Sequence, residues 1–454
     1  LSILGTLRIV YHYWLTRRRR KWSSRVRLER WQERRVIRHI RWVRANSAFY
    51  REWWNGVEDS AWRSFPLMDK ALMMEHFDRL NTAGILKEEA LALAAAGEAT
   101  RNFSPVIKGI TVGLSSGTSG NRGLFLVSGR EQNAWTGTVL AKLLPGGLRK
   151  PAKIAFFLRA NSNLYESVRR GKLEFRYFDL LDPVGRLVER MEAYRPTVWV
   201  APPSMLRMLA DEFTAGRLTA RPSKLISVAE VLDPLDRNVI ERTFGQTVHQ
   251  AYQCTEGFLG ATCERGTLHL NEDVVHIEKE YLDPATRRFV PIVTDFSRTT
   301  QPIVRYRLND VLTEAAEPCP CGCPFTAIVR IEGRCDDILY FPHSRTGEPV
   351  AVFPDFVARA VIAVSAAIEH YRVVQLAGGE LDISLQLAAD SSRADVEAEV
   401  NRQLQELSRR LESDLPEVRF SPYRFVPGAT KLRRVERKAA DGSNAGSDTG
   451  SDGR

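Results

Sequence analysis

Strand-like and helix-like runs alternate between Gln132 and Gly257, and this alternation narrows the fold more than any other feature of the chain. A helical run from Gln132 to Leu144 is stopped by Pro145-Gly146-Gly147. A short apolar strand follows at Ile154–Leu158, then a helix at Leu187–Tyr194 and a strand at Thr197–Val200 that Pro202-Pro203 ends. Helices at Ser204–Phe213 and Pro234–Phe244 alternate with strands at Lys224–Val228 and from Val248. Strands separated by helices can pair in parallel, since a parallel neighbour is reached only through a crossover. The pattern predicts an α/β domain with a largely parallel sheet. Ligands of such sheets bind at the carboxyl ends of the strands, so the loops there are the place to look for chemistry.

One candidate loop precedes this region. Thr111–Gly123 reads TVGLSSGTSGNRG: an extended lead-in (Thr111, Val112, Leu114), then hydroxyls and glycines. Gly117, Gly120 and Gly123 can take backbone angles that side chains forbid, which lets neighbouring N–H groups turn toward one point. Ser115, Ser116, Thr118 and Ser119 add hydroxyl donors, and such a concavity suits phosphate oxygens. It is not a Walker A loop, because no Gly-Lys-Ser/Thr closes it and its only cation is Arg122. A Gly/Ser loop also reads as a plain surface turn. Two strand ends bear on the choice. One is Ser227-Val228-Ala229-Glu230; the other is Tyr252-Gln253-Cys254-Thr255-Glu256-Gly257. A tyrosine ring can stack on a base, a threonine can donate to phosphate, and a glutamate can hold Mg²⁺.

At 454 residues the chain exceeds one ordinary core, so two or three domains are expected. The net charge of +10 is unevenly spread: residues 1–44 hold fourteen Lys/Arg against two Glu, a net +12 that leaves the rest at −2. The basicity belongs to an N-terminal arm, and no nucleic-acid partner is expected. Arg17–Lys21 is an unbroken basic run among Tyr11, Tyr13, Trp14 and Trp22, while Val36, Ile40 and Val43 keep helical spacing. The arm reads either as a basic helix lying on an anionic membrane surface or as a solvated helix packing its apolar stripe on the main body. No apolar run approaches the ~20 residues of a membrane span. With no signal-peptide pattern evident, a cytoplasmic protein is expected, with the inner membrane face as the arm's alternative site.

All six cysteines fall between Cys254 and Cys335. Cys319-Pro320-Cys321-Gly322-Cys323 is too tight for disulfides between neighbours. Cys263 and His269 flank an expected hairpin at Gly266, and with Cys319 and Cys321 they make four ligands for a tetrahedral structural zinc. Cys323 is an alternative to Cys319 or Cys321, and buried free thiols are the competing reading. Cys254 is expected in the core.

The strings SSGTSG, YQCTEG, IVRYRLND, CPCG and GRCDD, in this order and spacing, resemble the adenylate-forming ligases over roughly residues 38–438. The CPCG element makes the chain look most like the phenylacetate–CoA ligase branch, similar members of which carry a structural zinc. The resemblance implies a large adenylating α/β domain at 45–335 bearing the zinc insertion, following the arm at 1–44. It implies a small mobile α+β domain at 336–438, with a disordered tail at 439–454. It also implies that Ser115, Ser116, Gly117, Thr118, Ser119, Gly120 and Arg122 cradle the phosphates of ATP. Ala229 and Glu230 then line the adenine, Tyr252 stacks on it, and Asp310 takes the ribose hydroxyls. Thr255 and Glu256 serve phosphate and Mg²⁺. Arg334 precedes a hinge at Asp336, and Lys431 is the catalytic lysine, with Thr430 where the family has glycine. Gln253 also departs from the usual glycine. The implied reaction adenylates a carboxylic acid, aromatic by resemblance, and passes the acyl group to coenzyme A or a carrier-protein phosphopantetheine. Amide or ester formation is a second outcome within the class. A rival from another class is a catalytically silent, zinc-stabilised binding protein held at a membrane by its arm.

Overall fold

The computed structural model describes residues 3–438, apart from 20, 21, 23, 101, 103, 104, 116–122, 145, 159–171, 181 and 426–431. The expected tail at 439–454 therefore lies outside the described residues. Two compact units form: Leu1–Glu332 with Val426–Leu432, and Gly333–Phe425 with Arg433–Arg454. The division falls just before Gly333, whose φ of 134° is open to glycine and strained for other residues. The stretch 1–44, expected as a separate arm, belongs to the large unit, its helices described from residue 3.

In the large unit, helices α1 (Ile3–Arg19) and α2 (Arg25–Asn46) come first. An antiparallel ribbon, β1 (Ile110–Leu114) and β2 (Leu124–Ser128), flanks the glycine loop. It leads into α3 (Gly129–Leu143), opened by a capping box between Ser128 and Glu131. The main sheet then begins: β3 (Ala152–Leu158), β4 (Leu173–Asp179), α4 (Val184–Tyr194), β5 (Val198–Ala201), α5 (Pro203–Thr214), β6 (Lys224–Ser227), α6 (Pro234–Phe244) and β7 (Val248–Cys254). These strands lie in the order β4-β3-β5-β6-β7, all parallel. β5 is buried along its whole length, as the apolar run Val-Trp-Val-Ala requires of a strand covered on both faces.

Beyond β7 the sheet turns antiparallel through β8 (Gly257–Thr262) and β9 (Leu268–Leu270). It continues with β10 (Val275–Asp283), β11 (Arg288–Asp295), β12 (Ile303–Arg307), β13 (Asp310–Glu314) and β14 (Ala327–Arg334). The full sheet has twelve strands, so the expected parallel sheet is its first half. β4 was not anticipated, because Glu174 and Arg176 interrupt its apolar pattern and both remain incompletely buried.

The two N-terminal helices pack by different means. α2 buries Leu28, Val36, Ile40 and Val43 as a helical stripe, joining Tyr50, Trp54, Trp62 and Phe65 in one core. α1 lies along α3 through small residues. A Cβ on Gly137 would come within 2.4 Å of the Ile9 carbonyl oxygen, so only glycine admits this approach. Thr16 Oγ1 meets Thr138 Oγ1 at 3.3 Å in the same seam.

The second unit is α+β, with strands in the order Val418–Pro422, Leu381–Leu387, Ile368–Gln375, Val435–Arg437. Helices α7 (Pro354–Ile362) and α8 (Arg393–Arg410) complete it.

Candidate nucleotide, acid and metal sites

The ribbon closes the base of the glycine loop. Ser115 N–H donates to the Gly123 carbonyl at 2.7 Å, and Gly123 N–H donates to Ser115 Oγ at 2.8 Å. The loop between, with Ser116, Gly117, Thr118, Ser119, Gly120 and Arg122, lies outside the described residues. A Cβ on Gly123 would sit 3.1 Å from Lys70 Cε, so the Lys70 side chain runs directly past the loop's closing residue. Lys70 opens a short helix that Asp69 caps by accepting from Leu72 N–H at 2.9 Å. In the sequence this lysine reads only as a helix start; no local signal ties it to a loop fifty residues on.

At the end of β7, Tyr252 and Asp310 come together: the phenol donates to Asp310 Oδ2 at 2.6 Å. Glu256 hydrogen-bonds the Tyr306 hydroxyl, which sequence reasoning did not single out. Burial, with the Glu256 carboxylate beside it, pushes the Tyr306 phenol well above its ordinary range. Burial and the nearby Asp310 do the same to Tyr252, so both phenols stay protonated donors. Cys254 is likewise raised, by burial and then by Glu256 and Asp310, and is inert as a thiol. Gly257 is needed next to them because a Cβ there would meet Asp295 Oδ2 at 2.8 Å.

A cavity of about 1340 Å³ opens in this unit beside these strand ends, lined there by Ser115, Ala229, Glu230, Gln253 and Thr255. Ala229 holds a φ of 69°, unusual for a residue with a side chain and a mark of strain at a functional turn. Glu230 Oε2 accepts from Ser204 N–H at 3.3 Å, and its Oε1 accepts from Leu432 N–H at 3.2 Å. Lys431, the residue before Leu432, lies outside the described residues. Arg298 reaches the Thr255 carbonyl at 3.3 Å and the Leu126 carbonyl at 3.1 Å, while its buried Nε has no partner. Beside it Glu131 accepts from Thr300 N–H at 2.8 Å and Thr300 Oγ1 at 2.6 Å. Burial would raise Glu131, but Arg298 and these donors hold it below the usual carboxylate range. Asp295 goes the other way, pushed up to about 6 by burial. Arg298 lies some forty residues from the Thr255 it touches, so no sequence window links them.

In the second unit Asp336 is exposed on a single turn, Cys335–Asp337. The neighbouring Asp337 is the buried carboxylate. It accepts from Arg334 N–H at 3.4 Å and pairs with Arg433 at 3.0 Å, and burial lifts it to about 6 against the pull of Arg433.

The cysteines assemble as expected. One ligand atom from each of Cys263, His269, Cys319 and Cys321 lies within 4.8 Å of the others. Cys263 Sγ and Cys319 Sγ are 3.9 Å apart, and Cys321 Sγ is 3.4 Å from His269 Nε2. Tetrahedral zinc with bonds of about 2.3 Å to sulfur and 2.0 Å to nitrogen separates such atoms by roughly 3.8 and 3.6 Å, so the donor set fits. Two glycine knuckles build it: Gly266 (φ 82°) three residues after Cys263, and Gly322 (φ 75°) three after Cys319. His269 Nδ1 lies 3.0 Å from the Phe325 carbonyl, a bond that orients the ring and leaves Nε2 for the metal. Cys323 donates its N–H to Cys321 Sγ at 3.4 Å and stands outside the four.

A mixed sheet of this kind, followed by a small α+β unit, recurs in several solved structures. The chain superposes on 2-hydroxyisobutyryl-CoA ligase in its postadenylation state, in complex with 2-HIB-AMP, with a TM-score of 0.68 at 18% identity, covering 90% of this chain and 89% of that one. An acyl acid amido synthetase in complex with 2,4-DB gives 0.58 at 12% identity over 91% and 92%. The amide bond synthetase McbA from Marinactinospora thermotolerans gives 0.52 at 15% over 71% and 67%. In sequence, the chain is 26% identical over 212 residues to phenylacetate-coenzyme A ligase of Thermus thermophilus; the match spans 43% of this chain and 46% of that relative. No family profile matches the chain. The chain therefore shares its fold with these ligases and synthetases, and it spans about half the length of the curated relative it matches.

Proposed function

We propose that the protein is an ATP-dependent ligase that activates a carboxylic acid as its acyl-adenylate and passes the acyl group to a thiol. The observation that carries this reading is one cavity reaching Ser115, Glu230 and Thr255 beside the Tyr252–Asp310 and Glu256–Tyr306 pairs. In the first half-reaction an acid oxygen attacks the α-phosphorus of ATP, the bond to the bridging oxygen breaks, and pyrophosphate leaves. The glycine loop from Ser115 cradles the phosphates, Thr255 donates to them, and Asp310 accepts from the ribose hydroxyls. Glu256 holds Mg²⁺, which when bound neutralises phosphate charge. Lys431 adds a point charge at the reacting oxygens. In the second half-reaction the thiol sulfur attacks the acyl carbon, AMP leaves with the electron pair, and the thiol proton passes to solvent.

The aromatic lining of the cavity, with Trp135, Phe156 and Phe175, supports an aromatic or bulky apolar acid. Trp135 Nε1 donates to Gln253 Oε1 at 3.1 Å, so the residue that departs from the family's glycine helps shape that wall. Coenzyme A or a carrier-protein phosphopantetheine supplies the thiol; an amine or alcohol acceptor is the alternative. Pyrophosphate exchange into ATP with a panel of aromatic acids tests the reading. Acid-dependent exchange, followed by AMP release on adding coenzyme A, is expected. Absence of exchange with every acid would leave the silent binding protein.

The cysteine–histidine cluster holds a structural zinc in this reading. The N-terminal helices offer a membrane contact, because Ile3, Leu4, Leu7, Tyr11 and Trp14 are all more than half exposed along one side of α1, with Arg17 and Arg18 at its end. Among the described residues no helix is long and apolar enough to cross a membrane. Cosedimentation with phosphatidylserine vesicles at physiological salt should fall at least tenfold in a Leu7→Ser/Trp14→Ser variant. Equal binding by both proteins, or none by either, rejects the contact.

A further inference from the structure

The cavity, at about 1340 Å³, exceeds the roughly 300 to 1,000 Å³ usual for one small ligand. Its extra wall comes from α1 and α2, which contribute Tyr11, His12, Arg19, Arg35, Arg38 and His39. That wall is cationic and poorly satisfied. Arg35 lies over the Trp31 ring at 5.9 Å and the Phe296 ring at 5.8 Å, and its buried Nε has no hydrogen-bond partner. His39 is only 6% exposed, stacks on Trp42, and has its Nε2 buried without a partner. Arg19 sits over the other side of the cluster, 4.8 Å from the Trp31 ring centre, and spends one N–H on the Asp273 carbonyl at 3.2 Å.

Asp273 and Glu131 also line the cavity, and the buried Oδ2 of Asp273 has no hydrogen-bond partner. Asp273 Oδ1 takes Lys142 Nζ at 2.7 Å, and Glu131 is held by Thr299 and Thr300. The unpaired Arg35 Nε–H, buried beside the Arg19 and Arg38 guanidinium groups, carries a desolvation cost that an incoming anion would offset. Burial, and then Arg38, already hold Arg35 below its ordinary range, while burial holds Arg19 below its own despite Asp273.

Resting on the adenylation reading, we propose that this wall is an anion subsite, and that the acid substrate is an apolar carboxylic acid bearing a second anionic group at its far end. Arg35 and Arg38 bind that group. The body of the acid crosses the apolar stretch of α3 past Trp135 and Val139, leaving the carboxylate to be activated at the strand ends. A second carboxylate and a phosphonate share the required chemistry.

The test compares octanedioic acid, its monomethyl ester and the ω-phosphono acid of the same length in pyrophosphate exchange. The wild type should favour the doubly charged acids over the half-ester by roughly tenfold to a hundredfold in kcat/KM, carried by KM, which is the scale of one charge-assisted hydrogen bond. The ratio should collapse toward one in Arg35→Gln and recover in part in Arg35→Lys. The better of the two dianions identifies the group. A wild type indifferent to the second charge, or an Arg35→Gln protein with the ratio intact, overturns the subsite. So does a rise confined to the KM of coenzyme A, since the cluster would then serve the acceptor's phosphates. Arg38→Gln replaces Arg35→Gln if the latter melts early. If no acid supports exchange, the adenylation reading fails by itself. Equilibrium dialysis of labelled octanedioic acid against wild type and Arg35→Gln then decides the subsite.

Discussion

Cys319→Ser protein should be purified with most of its zinc gone and should melt roughly 10 °C or more below the wild type, which should hold about one zinc per chain. The magnitude follows from what the cluster ties together. Cys263 and His269 stand on the β8–β9 hairpin, and Cys319 and Cys321 on the loop before β14, so the metal closes a loop of about fifty residues. Without it, two sulfurs 3.9 Å apart and an imidazole at 3.4 Å from a third lose the charge that gathers them. Structural zinc contributes on the order of 10–16 kcal/mol in small peptides. Here the surrounding sheet keeps its own core, and several kcal/mol is the expected share. Cys323→Ser is the control, because that residue contributes an N–H to Cys321 and no ligand atom; it should keep both metal and melting temperature. Metal-free wild-type protein with an unshifted melting curve rules out a structural zinc. Zinc lost equally from Cys323→Ser would instead reassign the fourth ligand.

These sites differ in how far they could be read from the chain. The parallel half of the sheet, β4 excepted, was legible because its strands are short apolar runs fenced by Pro, Gly and charged turns; the helix Pro234–Phe244 matched residue for residue. The cysteine cluster was legible because three of its ligands belong to two close-set groups and the fourth follows a hairpin glycine. The packing of α1 was not. Its buried face is Gly5, Ile9, Tyr13 and Thr16, a seam of small and polar residues, while its more apolar side points outward. Periodicity alone chooses the wrong face there, because the seam is set by Gly137 on another helix. Lys70, Arg298 and Arg35 were missed for a related reason. Each becomes interesting only through a partner or a cavity wall distant in sequence, and a lone cation carries no local signature.

Lys431→Ala is expected to slow acyl-adenylate formation by roughly a hundredfold or more, the scale of removing one well-placed electrostatic group. Thioester formation from supplied acyl-adenylate should hardly change. The glycine loop carries no lysine, and Arg298 spends its terminal nitrogens on the carbonyls of Thr255 and Leu126. Negative charge grows on the α-phosphate as the acid oxygen attacks, and a flexible ammonium is suited to meet it as a point charge. Leu432 N–H donates to Glu230 Oε1, which binds the residue after Lys431 to a side chain lining the cavity. The resemblance implies that the small domain at 336–438 turns about Asp336 between the half-reactions and takes Lys431 away before the thiol attacks, although the segment Val426–Leu432 groups here with the large unit. A group present for one step and absent for the other must split the two rates. Glu256→Gln supplies the contrast, since phosphate neutralisation through Mg²⁺ belongs to the first step as well, yet its loss should be answered by raised magnesium while the loss of Lys431 should not. Normal exchange in Lys431→Ala would make the residue a solvated cation with no part in adenylation. Equal losses in both half-reactions would mean that it supports the site in every pose and that no departure of the lysine separates the steps.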